Sequence, residues 1–258
     1  MCAFLEALIA KDPSRAGLMP GLRCTANGVE GPLGSASVWG QARRIPARQT
    51  FVDIQTQSAI FMGVLTNTTS HHASLVRKDW FYAVRLRFQG NTIAEVEEVF
   101  FEGIWAHYPT DPATVEMDPR FEMVLPEGQR SSRAEMTAAI EAYCAAVART
   151  GPADAVPFHP DTRRTELGQP TTDSWNFPFS ARADFANEGW TWRISNIRIP
   201  VVDETRGVAL AIFALSMDNV SNPEFSPCIV VEAFKFEDGL IRRMFAVYHA
   251  GSGDDGWK

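Results

Sequence analysis

Hydrophobic and polar residues alternate with a period of two through four consecutive stretches in the first half of this chain: QTFVDIQTQ, AIFMGVLT, WFYAVRLRF and TIAEVEEVFF. Such alternation over a short run marks a half-buried strand. Four counterparts, TWRISNIRIPVVD, GVALAIFALSM, CIVVEAFKF and LIRRMFAVYH, follow in the second half. Ahead of each set the period changes. Leu5, Leu8 and Ile9 recur at helical spacing, and so do Met136, Ile140, Tyr143 and Val147. Ser132-Arg133-Ala134-Glu135 reads as a capping box and places the start of the second helix. Each half closes on strand, tight turn and return strand, with Gly90-Asn91 and Asp238-Gly239 at the turns.

The two halves repeat one pattern. Phe4 aligns with Tyr143 and Pro13 with Pro152 at an offset of 139, and Gly28 with Gly168 at 140. Phe88 aligns with Phe236 and Ile93 with Ile241 at 148. A slowly drifting offset is what loop-length changes between duplicated units produce. The expected organisation is one copy over 1–103, a proline-bearing connecting segment over 104–131, and a second copy over 132–258. Helices first and antiparallel strands afterwards predict an α+β fold: two fused cone-shaped barrel domains, each with N-terminal helices packed on a curved antiparallel sheet.

Composition narrows the function classes. The 258 residues are 45% hydrophobic and 21% charged, enough for a sizeable core. A net charge of −7 argues against a phosphate-binding surface, so no nucleic-acid partner is expected. The pairs Arg43-Arg44, Arg163-Arg164 and Arg242-Arg243 read as solvated faces. Cys2, Cys24, Cys144 and Cys228 form no CxxC pair, which predicts reduced thiols and a cytoplasmic location. The start, MCAFLEALIAKDPS, lacks a cationic opening and is interrupted by Glu6, so a signal peptide fits poorly. No apolar run is long enough to span a membrane. No glycine fingerprint, phosphate-loop lysine or nucleophile elbow occurs, and His71-His72 have no carboxylate at metal-ligand spacing. Neither a metal nor another cofactor is expected.

The helix with DPS, the short strand ending in Asn27-Gly28 or Leu167-Gly168, and the closing strand–DG–strand hairpin resemble the nuclear transport factor 2-like superfamily. That superfamily includes polyketide-cyclase-like, ketosteroid-isomerase-like and scytalone-dehydratase-like enzymes. PFHPDTRRTELGQPTT, RIPVVDETRGVAL and EAFKFEDGLIRRM resemble its tandem-domain branch, and the likeness covers almost the whole chain. Some tandem members are lyases that release formaldehyde from lignin-derived diarylpropane dimers without a cofactor. Leu167 departs from the polar turn usual at its position, and the chain starts inside its first predicted helix.

In such a fold the helix-covered sheet face encloses a small-molecule cavity. Trp80, Tyr82, Val84, Leu86 and Phe88 share one strand face, as do Val230, Glu232, Phe234 and Phe236. Glu232 is thus a carboxylate among apolar neighbours, suited either to proton transfer with a raised pKa or to a satisfied structural role. Glu166, ending the strand before Leu167-Gly168, matches by resemblance the general base of the steroid-isomerase-like members; a turn acid is the alternative. His159 and Asp161 bracket Pro160 as either an acid–base pair or a turn cap. Asp53 and Tyr82 complete the catalytic candidates. Trp80, Trp190, Trp192 and Phe234 are candidate surfaces for an aromatic substrate. His107 and Tyr108 lie where a lid could close.

Together with these residues, the resemblance implies a cofactor-independent lyase on a hydroxylated aromatic small molecule, one that deformylates a diarylpropane dimer to a stilbene. An isomerase, cyclase or dehydratase on a polyketide- or terpenoid-like substrate is the second reading, and a non-enzymatic binding module the third. A homo-oligomer stays open.

Overall fold

The structure, a computed structural model, describes residues 1–67, 78–102, 110–173, 192–217, 227–251 and 257. The first half runs α1 (Cys2–Ala10), β1 (Leu18–Ala26), β2 (Val29–Glu30), α2 (Ser37–Gln41), β3 (Arg44–Asp53), β4 (Ser58–Thr66), β5 (Asp79–Gln89) and β6 (Thr92–Glu102). The second runs α3 (Arg133–Val147), β7 (Phe158–Glu166), β8 (Gln169–Pro170), β9 (Trp192–Asp203), β10 (Val208–Met217), β11 (Cys228–Glu237) and β12 (Leu240–Ala250). Two six-stranded sheets result, ordered β2-β1-β6-β5-β4-β3 and β8-β7-β12-β11-β10-β9. The same order occurs in both, as the duplicated pattern requires.

Two features depart from the expectation. The sheets are mixed, because β1 pairs parallel with β6 and β7 pairs parallel with β12. Periodicity reports which residues share a face, but it cannot name a partner strand so distant in the chain. The QTFVDIQTQ strand also stops at Asp53, and residues 54–57 form the turn into β4. At the start of α3 the capping box is present: Ser132 Oγ accepts from Glu135 N at 3.3 Å, and Ser132 N donates to Glu135 Oε2 at 2.8 Å.

Each sheet is covered twice. Helices α1 and α2 lay Phe4, Leu8 and Trp39 on Phe61, Tyr82 and Val84 of the first sheet. Helix α3 does the same for the second sheet with Met136, Ile140 and Tyr143. The opposite faces close on each other. There β6 runs beside β12 and β3 beside β9, and Phe81, Ala83 and Val99 share one core with Phe245 and Val247.

Paired polar side chains cross this seam. Asp53, 3% exposed, accepts from Gln55 N at 2.9 Å, Thr56 N at 3.3 Å, Arg133 Nη2 at 2.9 Å and Val202 N at 3.0 Å. It therefore ties the β3–β4 turn to α3 and β9. Buried Glu97 bonds Arg85 Nε at 2.8 Å and also Arg198 of the other sheet. The connecting segment packs across both sheets: Phe121 sits edge-on to Phe51 at 6.1 Å, and Lys235 Nζ donates to Met123 O at 3.0 Å and to Arg206 O. Burial brings the Lys235 amine down to about 8. Arg43-Arg44 are exposed, as expected, but the other two arginine pairs are not simply solvated faces. Arg243 reaches Asp118 at 3.0 Å, Arg164 reaches Glu166 at 3.0 Å, and all of Arg164, Arg242 and Arg243 are largely covered.

Burial alone would raise the Asp53 pKa, but its bonds to Val202, Arg133, Thr56 and Gln55 hold it below its ordinary 3.8. A lowered native pKa gives stability that is complete above the unfolded value and lost as pH falls through the native one. Asp53→Asn is expected to cost about 1–3 kcal/mol at pH 7, on the scale of a lost charged hydrogen bond. Thermal unfolding of both proteins at pH 7 and pH 3 checks this, because the gap between them should narrow in acid. Equal Tm values at pH 7 would remove Asp53 from the seam's stabilising contacts.

Candidate active site

The helix-covered face of each sheet forms a cup, and among the described residues each cup holds one buried carboxyl. In the second cup, strand register sets the row. Glu232 on β11 stands opposite Ala246 on β12, and Ala246 stands beside Glu166 on β7. Paired residues point to the same face, so Glu232 and Glu166 flank one small alanine. Arg164, two residues before Glu166, shares that face, with its Nε 3.0 Å from Glu166 Oε1 and 2.9 Å from Thr171 Oγ1. From the helix above, Tyr143 OH donates to Glu232 Oε1 at 3.4 Å. Its ring stands edge-on to Phe234 at 5.1 Å and to Phe158 at 6.4 Å.

This arrangement separates the two acids by environment. Glu232 is 2% exposed, and burial first, then the charge of Glu166, pushes it up to about 8 against the pull of Arg164 and Tyr143. Glu232 is therefore protonated at neutral pH and can donate. Glu166, paired with Arg164, presents a carboxylate that can accept. Such an arrangement can offer a proton donor beside a proton acceptor. The phenol of Tyr143 is pushed well above its ordinary value by burial and by Glu232, so it serves as a donor rather than a base.

The first cup holds Glu98 on β6, which the sequence reading did not single out. Its Oε1 accepts from Tyr82 OH at 2.5 Å and from Trp39 Nε1 at 2.8 Å. Burial raises it to about 7 despite both bonds. Alternation in TIAEVEEVFF could have found it, because Glu98 shares its face with Val96 and Phe100 while Glu97 takes the seam face.

The remaining candidates are dispersed. Tyr82 belongs to Glu98. Trp80 is fully buried in the first cup's core, its Nε1 donating to Glu102 Oε2 at 3.0 Å. Phe234 lies under Tyr143. His159 and Asp161 occupy the end of β7 away from Glu166. There His159 Nδ1 accepts from Asp161 N at 2.9 Å, Arg242 contacts the imidazole, and Asp161 is 67% exposed. Asp53 lies in the seam, and Trp192 is half-buried at the start of β9. Trp190, His107, Tyr108 and His71-His72 lie outside the described residues. Tyr143 and Arg164 join the site unannounced.

Among the described residues no three His, Cys, Asp or Glu converge as metal ligands, and no helix is long and apolar enough to cross a membrane. The described cysteines are all free thiols. A separate cleft of about 170 Å³ is lined by Gln49, Asp118, Phe121, Thr165, Arg243 and Phe245. Thr165 and Phe245 adjoin Glu166 and Ala246 in the chain, so they face the other side of the sheet. The cleft belongs to the seam, away from the carboxyl row.

Residues 129–248 match a sequence family described as "Domain of unknown function (DUF8021)", a span running from just before α3 to near the end of β12. Among curated proteins none matches the chain. Among solved structures, a protein of unknown function with a cystatin-like fold from Methylobium petroleophilum PM1 is 19% identical, covering 48% of this chain and 81% of its own, with a TM-score of 0.35. An epoxide hydrolase from M. tuberculosis, described as LEH-like, is 16% identical over 48% and 90%, with a TM-score of 0.36. SalBIII, an epoxide hydrolase/cyclase-like enzyme of pyran ring formation in the polyether salinomycin, is 14% identical over 46% and 93%, with a TM-score of 0.33. Each spans about half of the present chain.

Raised native pKa values tie stability to pH. Glu98 and Glu232 rise from 4.5 to about 7 and about 8, so their contribution is complete below 4.5 and is lost as pH climbs through those native values. Tm should fall between pH 5 and pH 8.5, and Glu98→Gln and Glu232→Gln should each flatten part of that decline. Thermal scans of the three proteins test it. Identical slopes in all three would mean that neither carboxyl is desolvated in solution.

Proposed function

We propose that the second cup is a general acid–base site of a cofactor-independent enzyme acting on a small hydroxylated aromatic molecule. The observation that carries this reading is the pairing of Glu232, held protonated by burial, with the Arg164-bound Glu166 across one alanine. Phe158, Phe234 and Tyr143 supply apolar and aromatic surface beside the acid.

Within that class, the sequence resemblance to the tandem lyases favours a diarylpropane diol as substrate. Glu232 protonates the benzylic hydroxyl, which leaves as water, and the para-oxygen of the ring stabilises the resulting cation. Glu166 then takes the proton of the primary alcohol, the carbon–carbon bond to that carbinol breaks, and formaldehyde departs. The bonding electrons close the double bond of a stilbene. One proton is given and one taken, so acid and base exchange states and are reset through solvent. A dehydratase would stop after water loss, and an isomerase would return the proton to another carbon. Product analysis therefore separates the readings.

The test is turnover of a para-hydroxylated diarylpropane diol by the purified full chain, followed by stilbene absorbance and formaldehyde trapping. Glu232→Gln is expected to lower kcat by about 10²-fold or more, the scale of lost acid–base help, with Tm at neutral pH maintained. Tyr143→Phe should lower it by about 10-fold, the scale of one lost neutral hydrogen bond. Near-normal turnover in Glu232→Gln would return that residue to a structural role. Saturable binding with no product would favour the binding module.

A further inference from the structure

The buried carboxyl of the first cup takes no part in the chemistry proposed above, yet its setting is the second cup's setting rebuilt from different positions. The cross-strand pair Val84–Glu98 corresponds, at the offset of 148, to Glu232–Ala246. The carboxyl thus sits on opposite strands in the two copies. The phenol has moved as well: Tyr82 corresponds to Val230 at that offset, and Tyr143 corresponds to Phe4 at 139. Each cup keeps one Glu–Tyr contact, and the four counterpart positions are all apolar.

A third group meets the acid of the first cup. The link between β2 and β3, residues 31–43, winds into α2 and lowers Trp39 onto the acid. That indole is 2% exposed, its N–H donates to Glu98, and its ring meets Phe4 edge-on at 5.4 Å. Helix α2 has five residues, too few to be stable without an anchor. Its anchor is this ring.

We propose that the first cup is an acid site occupied from within: the Trp39 indole stands where a planar aromatic ligand with an N–H or O–H donor would lie. Among the described residues the acid is met by neutral donors, Tyr82 and Trp39, with Cys24 as a further titratable neighbour. A phenol or an indole is the chemistry such a carboxyl recognises. This inference stands on the geometry of the first cup and is independent of what the second cup catalyses.

The experiment removes the built-in occupant and offers it back. Trp39→Ala in the full chain should lower Tm, and free indole should recover most of the loss. Benzothiophene, of the same shape but without an N–H, should recover clearly less. Equal recovery by the two, or none by indole, would overturn the proposal, since the ring would then merely fill volume. Should Trp39→Ala fail to fold, Trp39→Phe keeps an aromatic ring in place and removes the donor. Because the indole bond lowers the Glu98 pKa, carbon-13 NMR should find its titration midpoint moved up in that variant. An unmoved midpoint would equally overturn the assignment.

Discussion

Each sheet has two apolar faces and helices for only one of them. β4 is buried along its whole length, and β10 and β11 nearly so, which leaves no face that water can cover. At roughly 25 cal/mol per Å² of apolar surface, exposing the second face of either sheet would be prohibitive for a fold of marginal net stability. The two copies are therefore each other's missing layer. Their polar crossing points follow from that closure. Asp53, Glu97 and Lys235 lie in the seam and must be satisfied there, because an unpaired group would be stranded without water.

The same closure makes the cups what they are. With the back faces sealed, the helix-covered faces are the remaining interior, and a carboxyl placed there loses its water on every side. Glu98 and Glu232 rise for that reason before any neighbour is counted. Glu166 is less deeply covered and is ion-paired with Arg164, which shares its strand face. The arrangement of the two carboxyls is thus a consequence of strand register: two residues along β7 bring the guanidinium, and one alanine on β12 lies between the acids.

Much of this architecture was legible before any coordinates. Period-two runs placed the eight long strands of β3–β6 and β9–β12, and the drifting offsets announced two equivalent sheets. Face-mates Val230, Phe234 and Phe236 predicted that Glu232 would be buried. Other features required contacts between distant residues. The parallel pairing of β1 with β6 has no local trace, and α2 is shorter than the helical period needs to show itself. Tyr143 reads as one more core position of an amphipathic helix until Glu232 is placed beneath it. Glu98 is hidden beside Glu95 and Glu97, since a dense acidic run resembles a solvated edge. In the sequence Asp53 reads as mid-strand because the apolar alternation continues past the point where the chain turns.

The cross-strand position shared by Glu98 and Glu232 has a consequence for what the fold can become. Directly opposed residues carry their Cβ atoms about 5 Å apart, the spacing at which two carboxyls share a single proton and titrate as a unit. Each copy fills one half of such a dyad and sets Val84 or Ala246 in the other. The pair of domains therefore displays both single-acid versions of one two-acid address. A glutamate at position 84 or 246 would complete it, turning an isolated proton donor into a device that holds one proton between two oxygens.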